Sequence, residues 1–531
     1  MAATATDFDI VVIGGGINGA AIARDAALRG LSVLLLEKND FGSGTSSYSS
    51  RLIHGGLRYL EYAEFPLVFE SLHERRRLLE LAPHLVRQLC INVPVYKSSK
   101  RGLWLVRLGM FFYGLLSIGK VVPGHRMLSS ASLAEELPGL SSAGLLGGAQ
   151  YFDAQVTFAE RLVVENVVSA ANAGATVKNY SPVIGLNVRN NKLQSVDYVD
   201  HESGEEMEVR ATVVVNAAGP WVDQVLATVN RELPKYMGGT KGSHIVVPIF
   251  AGAPQCAVYA EAGSDSRPFF IIPWNHQVLI GTTDIRYSGD PASASASDAE
   301  IDYLLAETNR LFPQAQLERE HIHYSYAGVR PLPKRESGPE SAITRKHIIK
   351  KHRVLARGLV SIIGGKLTTY RNLAEQTVNY VNKKTGLKGL PCNTRTLPLP
   401  GATDIDEART SLDEIEGLSA EGKDRLLGIY GGRASDVVKL ANSRSEMSGF
   451  VDLEKTVLVA EVFFALRHEF AVTLIDIVYR RMMLGLTANQ GAHLFDRITE
   501  LASDELGWSR HERKRQLQDL NDYGSNRKAT T

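Results

Sequence analysis

Cysteine is scarce in this chain: three in 531 residues, at 90, 256 and 392. None stands in a C-x-x-C pair, which excludes an iron–sulfur cluster, a structural zinc site and a disulfide framework, and matches a reducing compartment. An excess of either charge is missing too. Lys and Arg total 59 against 58 for Asp and Glu, so there is no overall basic field of the kind nucleic acid selects. No basic stretch opens the chain; Asp7 and Asp9 precede a first apolar run that breaks at Gly14, and no secretory signal is expected. No fixed-period repeat is visible. The longest membrane-like stretch, residues 102–119 (GLWLVRLGMFFYGLLSIG), is cut by Arg107 and diluted by glycine, which excludes a bilayer-spanning helix. It reads as a buried helix of a substrate domain or, flanked by Lys97, Lys100, Arg101 and Lys120, as an interfacial element.

What is present is a globular chain, 44% hydrophobic and 22% charged, long enough for about three domains. Its 47 glycines against 20 prolines gather in short clusters, as phosphate-binding turns do. The first element is a continuous apolar run at 8–13, FDIVVI. A glycine cluster, an Ala-rich helix over 20–28 and a second strand at 32–36 follow, giving a right-handed parallel unit. Residues 40–60 read as a loop entering a helix. Residues 66–88 read as an amphipathic helix with a solvated basic face at Arg75, Arg76 and Arg77. A helix is expected over 159–173 and a small meander over 176–215, ending in ATVVVN. Residues 236–330 are strand-rich, 359–363 form one more buried strand opening a helix, 386–402 a linker, and 403–523 a helical region.

Gly14-x-Gly16-x-x-Gly19 lies directly between strand and helix. Its glycines permit the tight turn, the approach of backbone to a pyrophosphate and the packing of helix on strand. The diphosphate then rests on the helix N-terminus. Glu37, closing the second strand, can accept from a ribose 2′-OH and repels a 2′-phosphate, which selects FAD or NAD over NADP. FAD is favoured because glycines recur at the ends of two later strands, at Gly219 and at Gly364-Gly365. The hydroxyl-rich loop 42–50 (GSGTSSYSS) also suits a buried pyrophosphate and ring edge. The expected cofactor contacts are Gly14, Gly16, Asn18, Gly19, Glu37, Thr45, Ser46, Ser47, Ser50, Gly219, Trp221, Gly365, Lys366, Leu367 and Thr368.

The segments TSSYSSRLIHGGLRYLE (45–61), NAAGPWVD (216–223), KGSHIV (241–246), GTTD (281–284), AGVRPL (327–332) and GGKLTTYR (364–371) occur in that order. Over residues 7–390, and on into 466–484, the chain resembles the FAD-dependent glycerol-3-phosphate dehydrogenases of the bacterial respiratory type. That resemblance implies oxidation of sn-glycerol 3-phosphate to dihydroxyacetone phosphate, hydride delivery to flavin N5, electrons passed to membrane quinone, and peripheral attachment to the cytoplasmic face of the inner membrane, an anionic surface. Tyr48 stands where relatives commonly carry a smaller residue or Arg. The oxygen-reducing glycerol-3-phosphate oxidases share most of these motifs but usually carry an inserted segment absent here.

Secondary-alcohol oxidation needs a proton acceptor, and a phosphorylated substrate needs cations. His244 is the expected base, against the competing reading of a hydrogen-bonded core histidine. Arg330 is expected to stabilise the developing alkoxide and keep that imidazole neutral. By resemblance, Arg58 and Arg345 hold the phosphate, with Tyr59 as a hydroxyl donor, since a guanidinium fork matches phosphate oxygens. Lys366 stabilises reduced flavin or substrate, and Thr283 and Asp284 shape the pocket. The expected fold is α/β plus α. A Rossmann-like FAD-binding domain (7–95, 150–225, 355–390) interleaves with an antiparallel-sheet substrate domain (96–149, 226–354), and a helical domain spans 396–531. No metal is expected, and a homodimer is left open. A related flavin oxidase and a non-catalytic flavin-binding module are the alternatives.

Overall fold

The computed structural model describes residues 7–528, apart from 118, 120–121, 230–232, 336–342, 355 and 387–389, and apart from the side chains of Arg58, Lys384 and Thr385. The opening glycine-punctuated unit builds a six-stranded sheet. In spatial order its strands are Ile348–Lys351, Leu359–Ile363, Ala211–Asn216, Phe8–Ile13, Val33–Leu36 and Thr176–Lys178. All neighbours are parallel except the first pair. The central strands are apolar throughout because both faces are covered. Ile10 and Val12 point to one side, where the helices Ile17–Leu28, Ala159–Asn172 and Tyr370–Thr385 pack. Val11 and Ile13 point to the other, against a three-stranded meander of Val183–Arg189, Lys192–Val199 and Glu206–Val209. The period of two in a strand thus sorts one apolar run between two cores.

The second sheet has ten strands. Its main path runs Ile285–Arg286, Thr240–Val247, Gln277–Gly281, Pro268–Trp274, Ala257–Glu261, Val86–Tyr96, Leu145–Val156 and Leu52–Ile53. Tyr324–Arg330 adds to Thr240–Val247, and Arg126–Ser129 to Leu145–Val156. Every pairing is antiparallel except that of Ala257–Glu261 with Val86–Tyr96. Strands from both sides of the first dinucleotide-binding unit are therefore shared: Val86–Tyr96 pairs into this sheet, and Ile348–Lys351 into the first.

Three expectations need correction. The helix expected over 66–88 is Phe65–Leu81, because Pro83 disfavours helical backbone at Ala82; a strand begins at Val86. Arg75 is not on a solvated face. It is fully buried and paired with Asp153 at 2.5 Å, whereas Arg76 is exposed. The stretch around 102–119 forms the helix Leu103–Leu116, and most of it is not buried. Only Val106, Met110 and Tyr113 turn inward, while Trp104 (74% exposed), Leu105, Leu108, Phe111, Phe112 and Leu115 face outward. The helix is therefore not the buried element of the first reading. Among the described residues no helix is long and apolar enough to cross a membrane.

Residues beyond 400 are mostly helical, as expected, and are tied to the first sheet's domain by buried ions. Asp40 takes Arg481 and Arg480 at 2.7 and 2.6 Å. Glu469 takes Arg161 and Arg433 at 2.5 and 2.6 Å, and Arg433 also reaches Glu165 at 3.0 Å. Burial pushes the Asp40 and Glu469 carboxyls up, but the paired guanidiniums outweigh it and hold each at about 2.

Candidate active site

Two adjoining cavities open where the sheets meet. The first, of about 670 Å3, runs over the carboxyl ends of the parallel strands, where ligands settle in open α/β sheets. It is lined by Gly14, Gly16, Asn18, Glu37, Thr45, Ser46, Gly219, Trp221, Gly365, Lys366 and Leu367, all expected cofactor contacts. Gly14 has φ +105°, and a Cβ there would lie 2.8 Å from the Ala217 carbonyl oxygen, so only glycine fits the turn. Gly19 does not line the cavity. Its hydrogen is pressed on Gly14, where a Cβ would fall 1.8 Å from the carbonyl oxygen, which is the helix–strand packing role.

Among the described residues, two buried polar atoms in this cavity's wall, Asn18 Oδ1 and Trp221 Nε1, have no hydrogen-bond partner. Such orphans are costly unless a ligand satisfies them. A long cleft with a glycine floor, an acceptor and a donor left open fits a dinucleotide. Glu37 accepts from the N–H groups of Gly15 (2.6 Å) and Asn39 (2.9 Å), so it braces the glycine turn as well as facing the cleft. Ser46 Oγ accepts from Ile17 N–H at 3.0 Å, and Thr45 donates to the Val329 carbonyl at 2.7 Å. Ser47 donates to the Gly42 carbonyl at 2.6 Å and Thr368 is hydrogen-bonded to the His54 backbone. Neither of these two lines the cleft; they shape the loops that do.

The second cavity, of about 730 Å3, is lined by Ser50, Tyr59, Thr282, Asp284, Arg330 and Arg345 on its polar side and by Leu52, Tyr151, Tyr259 and Phe270 on its apolar side. It meets the first at Ser49-Ser50, which split between the two linings. It meets it again where Lys366 Nζ stands 4.6 Å over the Tyr59 ring and donates to Ser71 Oγ at 3.0 Å. Burial lowers the pKa of Lys366.

Arg330 ends the strand Tyr324–Arg330 and donates to Asp284 (3.1 Å), Thr282 Oγ1 (2.9 Å) and the Thr283 carbonyl (3.1 Å). Arg345 reaches the other Asp284 oxygen at 3.3 Å, and among the described residues its buried Nη1 has no hydrogen-bond partner. One carboxylate thus serves two guanidiniums. Thr283 turns away, donating to Glu300 at 2.7 Å and accepting from Ser243 N–H at 2.9 Å. Arg58 sits in the turn Leu57–Tyr62, and its side chain lies outside the described residues.

His244 is buried in the strand Thr240–Val247 and does not itself line the cavity. Its Nε2 is 2.8 Å from Ser50 Oγ, which does line it, and its ring stacks on Tyr326 at 4.9 Å. Gly281 lies opposite in register, where a Cβ would come within 2.5 Å of the imidazole. Burial first, then the Arg330 charge, holds the His244 pKa down at about 3, so the imidazole is neutral at working pH. Glu300 anchors the same strand through Ser243 and Lys241.

The sequence reading placed Ser50 on the cofactor; in the structure it lines the second cavity and not the glycine-floored cleft. Thr282, Tyr259 and Phe270 went unnoticed. Thr282 stood in the quoted GTTD motif, but nothing in the strand pattern marks which aromatic of a ten-stranded sheet faces a cavity.

Residues 9–371 match the FAD dependent oxidoreductase family, and residues 392–513 match the C-terminal domain of alpha-glycerophosphate oxidase. The fold and cleft thus define an FAD-dependent oxidoreductase. A glycerol-3-phosphate dehydrogenase of Synechocystis sp. is 45% identical over 98% of this chain and 96% of its own length. The human mitochondrial glycerol-3-phosphate dehydrogenase is 34% identical over 97% of this chain and 72% of its own. The solved glycerol-3-phosphate dehydrogenase of Bacillus halodurans, complexed with FAD, superposes with TM-score 0.81 at 29% identity, over 98% of this chain and 95% of that one. The chain belongs to the FAD-dependent oxidoreductases and, within them, to the glycerol-3-phosphate dehydrogenase family.

Proposed function

We propose that this enzyme oxidises sn-glycerol 3-phosphate to dihydroxyacetone phosphate and passes the electrons to a membrane quinone. The observation that carries the reading is the cationic wall of the second cavity, Arg330 and Arg345 sharing Asp284 against the FAD cleft. A phosphate dianion satisfies the open Arg345 Nη1, with Arg58 and Tyr59 as further donors. Bound FAD supplies the two-electron acceptor. Oxidation of the C2 alcohol also releases the hydroxyl proton. Ser50 Oγ, within hydrogen-bond distance of the neutral His244 Nε2, offers a path for it: the serine takes the substrate proton as it passes its own to the imidazole. The Arg330 charge favours the developing alkoxide, and the same charge keeps His244 deprotonated beforehand. Lys366, half-buried between the two cavities, adds positive charge where negative charge develops on reduction.

The acceptor and the location rest on the helix Leu103–Leu116. Its outward apolar row lies beside exposed Phe65, whose ring meets Phe112, and Leu105 of the same helix lines the substrate cavity. Aromatic and aliphatic groups next to Lys97, Lys100 and Arg107 suit an anionic bilayer surface, and support a peripheral seat on the inner face of the membrane. Anaerobic addition of sn-glycerol 3-phosphate is expected to bleach the oxidised flavin, and quinone is expected to reoxidise it faster than oxygen does. An unbleached flavin would overturn the substrate, and faster turnover with oxygen would overturn the acceptor.

A further inference from the structure

Sequence spacing separates the cysteines by over a hundred residues, yet the second sheet brings two of them together. Ile91 and Asn92 pair in parallel with Ala257 and Val258, so Cys90 and Cys256 occupy the preceding register position on neighbouring strands. Adjacent strands lie about 4.8 Å apart, within the roughly 4.4–6.8 Å between Cα atoms that a disulfide spans. The two thiols are free and each is only partly buried.

Their place in the fold gives this pair a consequence. It sits at the only parallel pairing of the ten-stranded sheet, among the described strands, held by two register pairs, whereas Val86–Tyr96 matches its other neighbour along its whole length. That seam divides the sheet into two halves, and the substrate cavity straddles it. Leu52 and Tyr151 belong to one half; Tyr259, Phe270 and Arg330 belong to the other.

We propose that Cys90 and Cys256 are a peroxide-responsive dithiol whose disulfide staples the two halves of the substrate sheet. The partners are not equivalent. The proximity of Cys90 lowers the Cys256 pKa, while the Cys90 pKa is raised by the neighbouring Cys256 and by burial; Arg126 nearby favours the thiolate and Glu136 opposes it. Cys256 is therefore the attacking sulfur. Its thiolate attacks one peroxide oxygen, the O–O bond breaks, and one water leaves with a sulfenic acid formed on Cys256. The Cys90 sulfur then attacks the Cys256 sulfur, the S–S bond forms, and the hydroxyl departs as a second water. Two thiols lose two electrons and the peroxide gains them. Cys392 takes no part: it is hydrogen-bonded to Asp25 and Thr394 in another region.

Treating the FAD-loaded enzyme with equimolar hydrogen peroxide should remove two titratable thiols and the mass of two hydrogens. Non-reducing peptide mapping should join the Cys90 and Cys256 peptides. The melting temperature should rise by several degrees and return with dithiothreitol. Cys90→Ser and Cys256→Ser should each abolish the crosslink and the shift, and Cys392→Ser should keep both. Peroxide that leaves both thiols titratable, stops at a sulfinic acid on one of them, links Cys392 instead, or crosslinks with no change in melting temperature would overturn the proposal. The wild-type measurements stand even if a serine variant fails to fold.

Discussion

Arginine and carboxylate meet in two buried regions of this molecule, and the two are built differently. Between the helical C-terminal region and the first sheet, Asp40, Glu165 and Glu469 face Arg161, Arg433, Arg480 and Arg481, and each carboxylate has at least one close guanidinium. Asp476 adds a fourth anion beside Arg480, so charges there are matched. In the wall of the second cavity, Arg330 and Arg345 share the single carboxylate of Asp284, and the buried Nη1 of Arg345 has no hydrogen-bond partner among the described residues. The first arrangement closes an interface. The second divides one carboxylate between two guanidiniums. Burying a surplus cation is costly, and a binding site is one place where a protein keeps that strain.

Removing a charge should therefore have opposite signatures in the two regions. The largest effect is expected for Glu469→Ala, which leaves Arg161 and Arg433 buried without their shared anion. It should cost about 3–5 kcal/mol of folding stability, with KM for the surviving folded enzyme little changed; a melting temperature near wild type would break the contrast. Arg345→Ala should instead barely move stability but raise KM, a loss of about 2–5 kcal/mol of binding; an unchanged KM would take the phosphate elsewhere. Arg330→Ala should keep FAD and lower turnover by about 10²–10³-fold, and near-normal kcat would remove Arg330 from the chemistry.

The smallest effect is a pH dependence. Burial holds His84 and His352 at about 4 and His244 at about 3. Below their ordinary values the unfolded chain binds protons that the folded one does not. Stability should thus fall as pH drops from about 6.5 toward 4, while the carboxylates held near 2 begin to add to the loss only below about 4.5. A flat melting temperature between pH 6.5 and 4.5 would contradict the neutral burial of these rings.

Much of the fold was legible because its signals are local. The apolar run at 8–13, its glycine turn and Glu37 announce a dinucleotide cleft within thirty residues, and the C-terminal helices show in their periodicity. Arg330, expected from its motif, and Arg345, expected from the resemblance, both line the second cavity. Arg75 was misread as solvated because its partner, Asp153, is far away in sequence. The helix Leu103–Leu116 was ambiguous for the same reason: an apolar face looks alike whether protein or something else covers it.

Local chemistry, then, decided the class of this protein: turn geometry, strand length and the donors a phosphate needs are properties of neighbouring residues. Which side chains share a cavity, that Ser50 stands between His244 and the second cavity, that two distant cysteines fall on neighbouring strands, and that one set of arginines meets as many carboxylates while Arg330 and Arg345 share one, were settled only by the pairing of strands far apart in sequence. Those pairings depend on burying whole faces at once, a free energy that no short segment carries alone.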